Sequence, residues 1–197
     1  FIPGCHALIA DPGVVDELDD VARVTGSPLL PRISIFHALN HKAVGRRYAA
    51  NCDANYEDLN LIICHLGGGI SVAAHRKGRA VDVNNALDGE GPFSPERAGT
   101  LPAGSLIDLC YSGRFSREEL KNRISGQAGL AAHLGTTDVP EVISMIEAGD
   151  KHAEFAAQAV DQGAVLVFVA ASGGERIVEG VELFEQAAGG HGGVGHQ

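Results

Sequence analysis

Between Leu61 and Asn85 the chain packs three short apolar runs around glycines, and few folds accept that pattern. Leu61-Ile62-Ile63-Cys64 is continuously apolar, as in a strand covered on both faces. Gly67-Gly68-Gly69 follows, then Ile70 to Ala74, a turn around Arg76-Lys77-Gly78, and a third run from Ala80 to Asn84. Such spacing predicts a β-meander in which Val81 and Val83 face one way and Asp82 and Asn84 the other. Three glycines between two strands leave a turn without side chains, so that backbone N–H groups can point at an anion. His65 and Ser71 flank that turn as donors, and a plain glycine hairpin is the competing interpretation.

Around the meander the pattern alternates. His6 to Ala10 reads as a buried strand ending at Asp11-Pro12-Gly13. Val14 to Val24 has helical spacing, and Ile35 to Ala50 favours helix. Beyond Asn85 the chain turns helical. Ser116 with Glu119 predicts a capping box ahead of Leu120 and Ile124, with Gly126 as the stop. Asp138 with Glu141 predicts a second box, and Gly149 ends that helix. A further helix is expected from Asp150 to about Val160. Val165 to Ala171 reads as a strand closing on Ser172-Gly173-Gly174, followed by a helix from Arg176 to Ala188. Gly189 to Gln197 is rich in glycine and histidine and is expected to be disordered. Strands and helices in this order mean an α/β protein.

Bulk properties narrow the partners. With 25 acidic against 15 basic residues, the formal net charge of −10 argues against nucleic acid. No apolar run approaches the ~18–20 residues of a membrane span. The four cysteines, Cys5, Cys52, Cys64 and Cys110, form no C-x-x-C pair, the usage expected of a reduced, cytoplasmic protein. Phe1 at the start, with no charged and then apolar leader, suggests a chain that begins inside a longer protein.

From Leu61 to Gly78 the sequence resembles the acetate/butyrate kinase family: two apolar residues, His65, alternating Gly67 and Gly69, Ser71 beside Val72, and Gly78 at the turn. The run from Val81 to Thr100, with Asp88-Gly89-Glu90-Gly91-Pro92-Phe93-Ser94-Pro95-Glu96-Arg97, is similar to the butyrate kinase branch of that family. So are Ile33 to His41 and Ala10-Asp11-Pro12 with Val15 to Leu18, so that the likeness covers roughly residues 7–160.

The resemblance implies the duplicated actin-like ATPase (ribonuclease H-like) fold, with nucleotide in the cleft between two α/β halves. Residues 1–58 would finish the first half, 59–188 would form most of the second with a helical insertion at about 100–160, and 189–197 would be a tail. It implies ATP/ADP and Mg²⁺ as cofactors and a short-chain carboxylate as substrate. The products would be acyl phosphate and ADP, and the assembly a homo-oligomer. His37 would contact the phosphoryl group in flight. Asp11 would hold Mg²⁺ or orient the carboxylate. His65 with Gly67, Gly68, Gly69 and Ser71 would hold the β/γ-phosphates, and Gly173-Gly174 would resemble the glycine pair of the adenosine-binding turn.

Three departures qualify this. The family's opening strand and Asn-Pro-Gly-Ser-type phosphate loop have no counterpart in the chain, so that it would carry only part of the catalytic machinery. Leu101 stands where acetate kinases carry an arginine, favouring a more apolar acyl pocket. After Val160 the similarity decays. Acetate kinase, or a non-catalytic nucleotide-binding fragment, remain the alternatives. His37 and His41, at i and i+4, have a metal-binding spacing but no third ligand nearby, and Arg97 with Glu96 fits a substrate-side cation or a surface pair equally well.

Overall fold

The computed structural model describes residues 17–171, with side chains to Gly163. The predicted strand at His6–Ala10, Asp11, the Gly173-Gly174 turn, the helix beyond Arg176 and the tail lie outside the described residues.

The meander forms as its spacing predicts. Strands β1 (Asn60–Leu66), β2 (Ile70–Arg76) and β3 (Arg79–Val83) make an antiparallel sheet in the order β1-β2-β3. Only two residues join β2 to β3, and both have positive φ (Lys77 52°, Gly78 78°), the type I′ geometry whose twist matches flanking strands. A register shift at Ala74/His75 leaves Val81 as an extra residue in β3, a bulge that places Ala80 with Val83 on one face where simple alternation expects Val81 with Val83. Past the end of β3, Asn84 continues the ladder with its side chain: Val72 N–H donates to its Oδ1 (2.8 Å), and its Nδ2 donates to Ile70 O (3.1 Å). Asn84 is therefore buried, where simple alternation places it with the half-exposed Asp82.

β2 is covered on both faces. Ile70 and Val72 point into a core shared with Leu130, Val142, Ala153, Ala156, Ala157 and Val160. Ala73 points the other way, into a core with Leu18, Phe36, Ala38, Ala80 and Val83. Along β2, period-two alternation explains why even positions belong to one core and odd positions to the other.

Helix α1 (Ala38–Asn51) lies on the second face. Its apolar side consists of small residues: Ala38, Gly45 and Ala49 are buried with His41. Gly45 is needed for close approach, since a Cβ there would stand 2.6 Å from Cε2 of Tyr56, a ring only 3% exposed. Gly45→Ala is therefore expected to destabilise the fold. Overpacking at about 1–3 kcal/mol outweighs the ~1 kcal/mol helix-propensity gain. Urea denaturation would show a lowered midpoint, and an unchanged one would contradict the tight fit.

Helices α2 (Ala103–Tyr111), α3 (Arg117–Asn122), α4 (Gly129–Leu134), α5 (Val139–Glu147) and α6 (Lys151–Ala171) follow. The Ser116–Glu119 capping box at α3 is present with both reciprocal bonds, although the helix ends at Asn122, ahead of Gly126.

Four expectations are corrected. The helix predicted over Val14–Val24 is, in its described part, only the 3₁₀ turn Asp20–Arg23. Asp19 N–H donates to Val81 O (3.0 Å), which holds the chain extended along β3, and Val21 and Val24 have no surface to pack on. The strand predicted for Val165–Ala171 is the last part of α6. A helix already under way from Lys151 extends at one hydrogen bond per residue, and that outweighs the strand preference of Val165, Val167 and Val169. The helix expected over Asp150 to about Val160 is accordingly longer. At α5, Asp138 makes no side-chain cap; Thr136 Oγ1 instead closes the turn ahead of the helix, accepting from Asp138 N–H (3.1 Å) and donating to Glu141 Oε2 (2.5 Å).

Candidate active site

The N-terminus of α1 and the glycine turn between β1 and β2 meet. His37 is the residue capping α1, and its ring stacks on that of His65 at the end of β1, with centroids 3.7 Å apart and 13° between planes. His37 Nδ1 lies 2.9 Å from Oγ of Ser71, the second residue of β2. His65 Nδ1 is bonded to Asn40 Nδ2 (2.8 Å), which fixes its amide partner as the donor and its own nitrogen as an acceptor. Burial pushes the basicity of His65 down, and two stacked rings disfavour a shared second charge.

Gly67, Gly68 and Gly69 are absent from the positive-φ residues, so their use is close approach rather than unusual backbone. A Cβ on Gly67 would lie 3.1 Å from His65 Nε2, and one on Gly69 3.5 Å from His37 Cε1. On Gly68 it would meet Glu96 Oε1 at 2.7 Å. Gly67 N–H donates to Gly69 O (3.2 Å), closing the turn. The segment after β3 braces it from outside: Ser94 Oγ donates to Gly68 O (2.5 Å), as does Glu96 N–H (3.3 Å).

Thus the described structure brings His37, His65, Gly67, Gly68, Gly69 and Ser71 together, and Asp11, Gly173 and Gly174 lie outside it. Arg97, undecided from sequence, donates to Ser125 Oγ (2.6 Å) and lies 3.7 Å from Glu96 Oε1, so it ties the turn's brace to the segment that follows α3.

Beneath these residues runs a chain of polar groups that sequence reasoning did not assemble. Ser71 Oγ also meets His41 Nε2 (2.9 Å); His41 Nδ1 meets His75 Nε2 (3.3 Å); His75 Nδ1 meets the Tyr56 hydroxyl (2.6 Å). Ser71 and His41 are fully buried and His75 is 2% exposed. Burial, reinforced by the neighbouring His75, His65 and His37, pushes His41 down to about 3. Burial, with Lys42 adding to it and Glu17 opposing, pushes His75 down to about 4. Both rings are neutral at physiological pH. Burial, followed by the Glu17 charge, pushes Tyr56 up to about 12, so its hydroxyl keeps its proton. Two spacings in the sequence carry this signal: Ser71 and His75 share one face of β2, and His41 is one helical turn from His37.

A third anchor ties α1 down. Lys42 Nζ is 2.5 Å from Glu17 Oε2 and donates to Gly78 O (2.6 Å), and Glu17 Oε2 also accepts from Ala80 N–H (2.8 Å). No helix among the described residues is long and apolar enough to cross a membrane.

A family model described as the acetokinase family matches residues 29–164. A protein of Bacteroides thetaiotaomicron named "Probable butyrate kinase" is 71% identical over 153 residues, 78% of this chain and 43% of that protein. "Butyrate kinase 2" of Clostridium acetobutylicum is 53% identical over 151 residues, 77% of this chain and 42% of its own length. Among solved structures, Porphyromonas gingivalis acetate kinase superposes with a TM-score of 0.69 at 24% identity, over 79% of this chain and 42% of that one. A propionate kinase of Francisella tularensis gives 0.70 at 21% identity, over 79% and 42%. These likenesses show part of the actin-like ATPase fold. The chain spans 43% of the length of the Bacteroides relative.

Proposed function

Because the chain belongs to the acetokinase family, we propose that it forms part of a carboxylate kinase that transfers the γ-phosphoryl group of ATP to a short-chain acid. One observation carries this reading. A helix N-terminus capped by His37 stands over a side-chain-free turn, with a second imidazole and a serine hydroxyl beside it. Phosphoryl transfer needs in-line positioning and donors for the equatorial oxygens, and little else. A carboxylate oxygen attacks the γ-phosphorus, the bond to the ADP oxygen breaks, and no proton has to leave the nucleophile. His37 donates to the phosphoryl oxygens, while His65 and the Gly67–Gly69 turn hold the β/γ-phosphates, with Ser71 supporting His37.

Magnesium is the metal proposed for this reaction. A hard cation that keeps much of its water needs only one or two carboxylates besides the phosphates, and Asp11 is the residue assigned to it. Bound there, it would neutralise charge on the phosphates. Gly173-Gly174 is assigned to the adenosine side. The described part of residues 1–58 packs on the meander through Leu18, Phe36 and Ala38, so it is assigned with residues 59–188 to one half of the fold.

Butyrate or a branched acid is the proposed substrate, supported by relatives named as butyrate kinases and by the apolar Leu101. The protein containing this chain, given ATP, Mg²⁺ and hydroxylamine, is expected to form hydroxamates best with acids of four or five carbons. Preference for acetate would overturn the substrate assignment, and no acyl phosphate with any acid would overturn the kinase reading.

A further inference from the structure

Among the described residues, the buried polar chain permits only one arrangement of hydrogens that leaves none stranded. Each link (Tyr56–His75, His75–His41, His41–Ser71, Ser71–His37) needs one hydrogen, and each neutral ring supplies one. The Tyr56 hydroxyl is buried, and His75 is its partner in the described structure. If Tyr56 only accepted, its own proton would be buried without an acceptor, a cost on the order of 1–3 kcal/mol. Tyr56 therefore donates to His75 Nδ1, which leaves the His75 hydrogen on Nε2. That hydrogen points to His41 Nδ1, so His41 carries its own on Nε2 and donates to Ser71 Oγ. Ser71, fully buried, has one acceptor left for its hydroxyl proton among the described residues, the Nδ1 of His37. Proton positions in such a network follow from satisfying it as a whole.

Resting on the kinase reading for its chemical purpose, we propose that Tyr56, His75, His41 and Ser71 are positioning residues that hold His37 with Nδ1 bare and its hydrogen on Nε2. On that arrangement the ring meets an incoming phosphoryl group as a donor through Nε2. Geometry supports the direction: a Cβ on Gly69 would lie 3.7 Å from His37 Nε2, so this nitrogen faces the glycine turn while Nδ1 faces the relay. A ring free to turn over its tautomers would spend part of its time presenting a lone pair to the phosphate oxygens, which repels them. Orienting partners of this kind typically alter activity by about 10–100-fold although they touch no substrate.

The test uses the full protein with ¹⁵N-labelled histidine and no ligand bound. His37 Nδ1 is expected to resonate as a bare nitrogen and Nε2 as a protonated one. Tyr56→Phe keeps the ring in place but removes the proton that sets the direction. It is expected to give His37 a mixture of tautomers and to lower kcat about tenfold, with KM for both substrates within about twofold. A protonated His37 Nδ1 in the unsubstituted protein overturns the proposal without any variant. So does a Tyr56→Phe protein whose His37 signals and kcat match those of the parent. If the protein proves to have no kinase activity, the nitrogen spectrum still decides the relay.

Discussion

Replacing His37 with alanine is expected to lower the rate of acyl phosphate formation by about 100- to 1,000-fold, the usual cost of deleting one preorganised donor. Three things leave with the ring: the donor over Gly69, the stacking partner of His65, and the acceptor of the Ser71 hydroxyl. The loss belongs mostly in kcat, because charge on the equatorial oxygens shifts as the phosphoryl group moves and His37 meets it there. KM for ATP should change less, since His65 and the turn hold the β/γ-phosphates in the proposed arrangement. Steady-state kinetics on the full protein, with a urea melt to confirm an intact fold, is the measurement. Full activity in a folded His37→Ala protein would remove this residue from the mechanism.

Acidification is expected to cost the fold several kcal/mol between pH 6.5 and about 4. His41 and His75 have folded-state pKa values depressed to about 3 and about 4. In the unfolded chain both titrate near ~6.5. Below that pH the unfolded state binds protons that the native state refuses, so stability is fully present above about 6.5 and falls as pH drops toward the folded values. Asp161 works in the opposite direction. Burial pushes its carboxyl up to about 6, so its native form takes up a proton early on acidification and offsets part of one histidine's loss. For a domain of ~5–15 kcal/mol total stability the net effect is large. Thermal midpoints at pH 7, 6, 5 and 4.5 should fall steadily, and the slope should flatten in His75→Gln. A flat profile from 6.5 to 5 would mean that these rings are wet in solution.

How much of this could be read from residues alone divides along a physical line. The meander was legible because glycines and alternation are local signals, and the grouping of His37, His65, Ser71 and the turn followed from the family likeness. Relay residues such as His75 and Tyr56 were not, since nothing near Tyr56 in sequence says that α1 will carry a glycine under its ring. Val14–Val24 failed because a period marks a face and cannot say whether anything covers it. Val165–Ala171 failed for a related reason: eight or so apolar residues fit a strand or a helix, and the neighbouring helix decided.

Helix α1 is tied to the meander and the segments around it at three heights: by His37 and His41 on Ser71, by Lys42 on Gly78 and Glu17, and by Gly45 under Tyr56. A rod fastened so can neither roll nor slide without breaking all three anchorages at once. Any closure of a cleft around nucleotide would then carry helix, meander and relay as one rigid block, and the bending would fall to the segments at its borders. The imidazole proposed to meet the phosphate would travel with its own wiring intact.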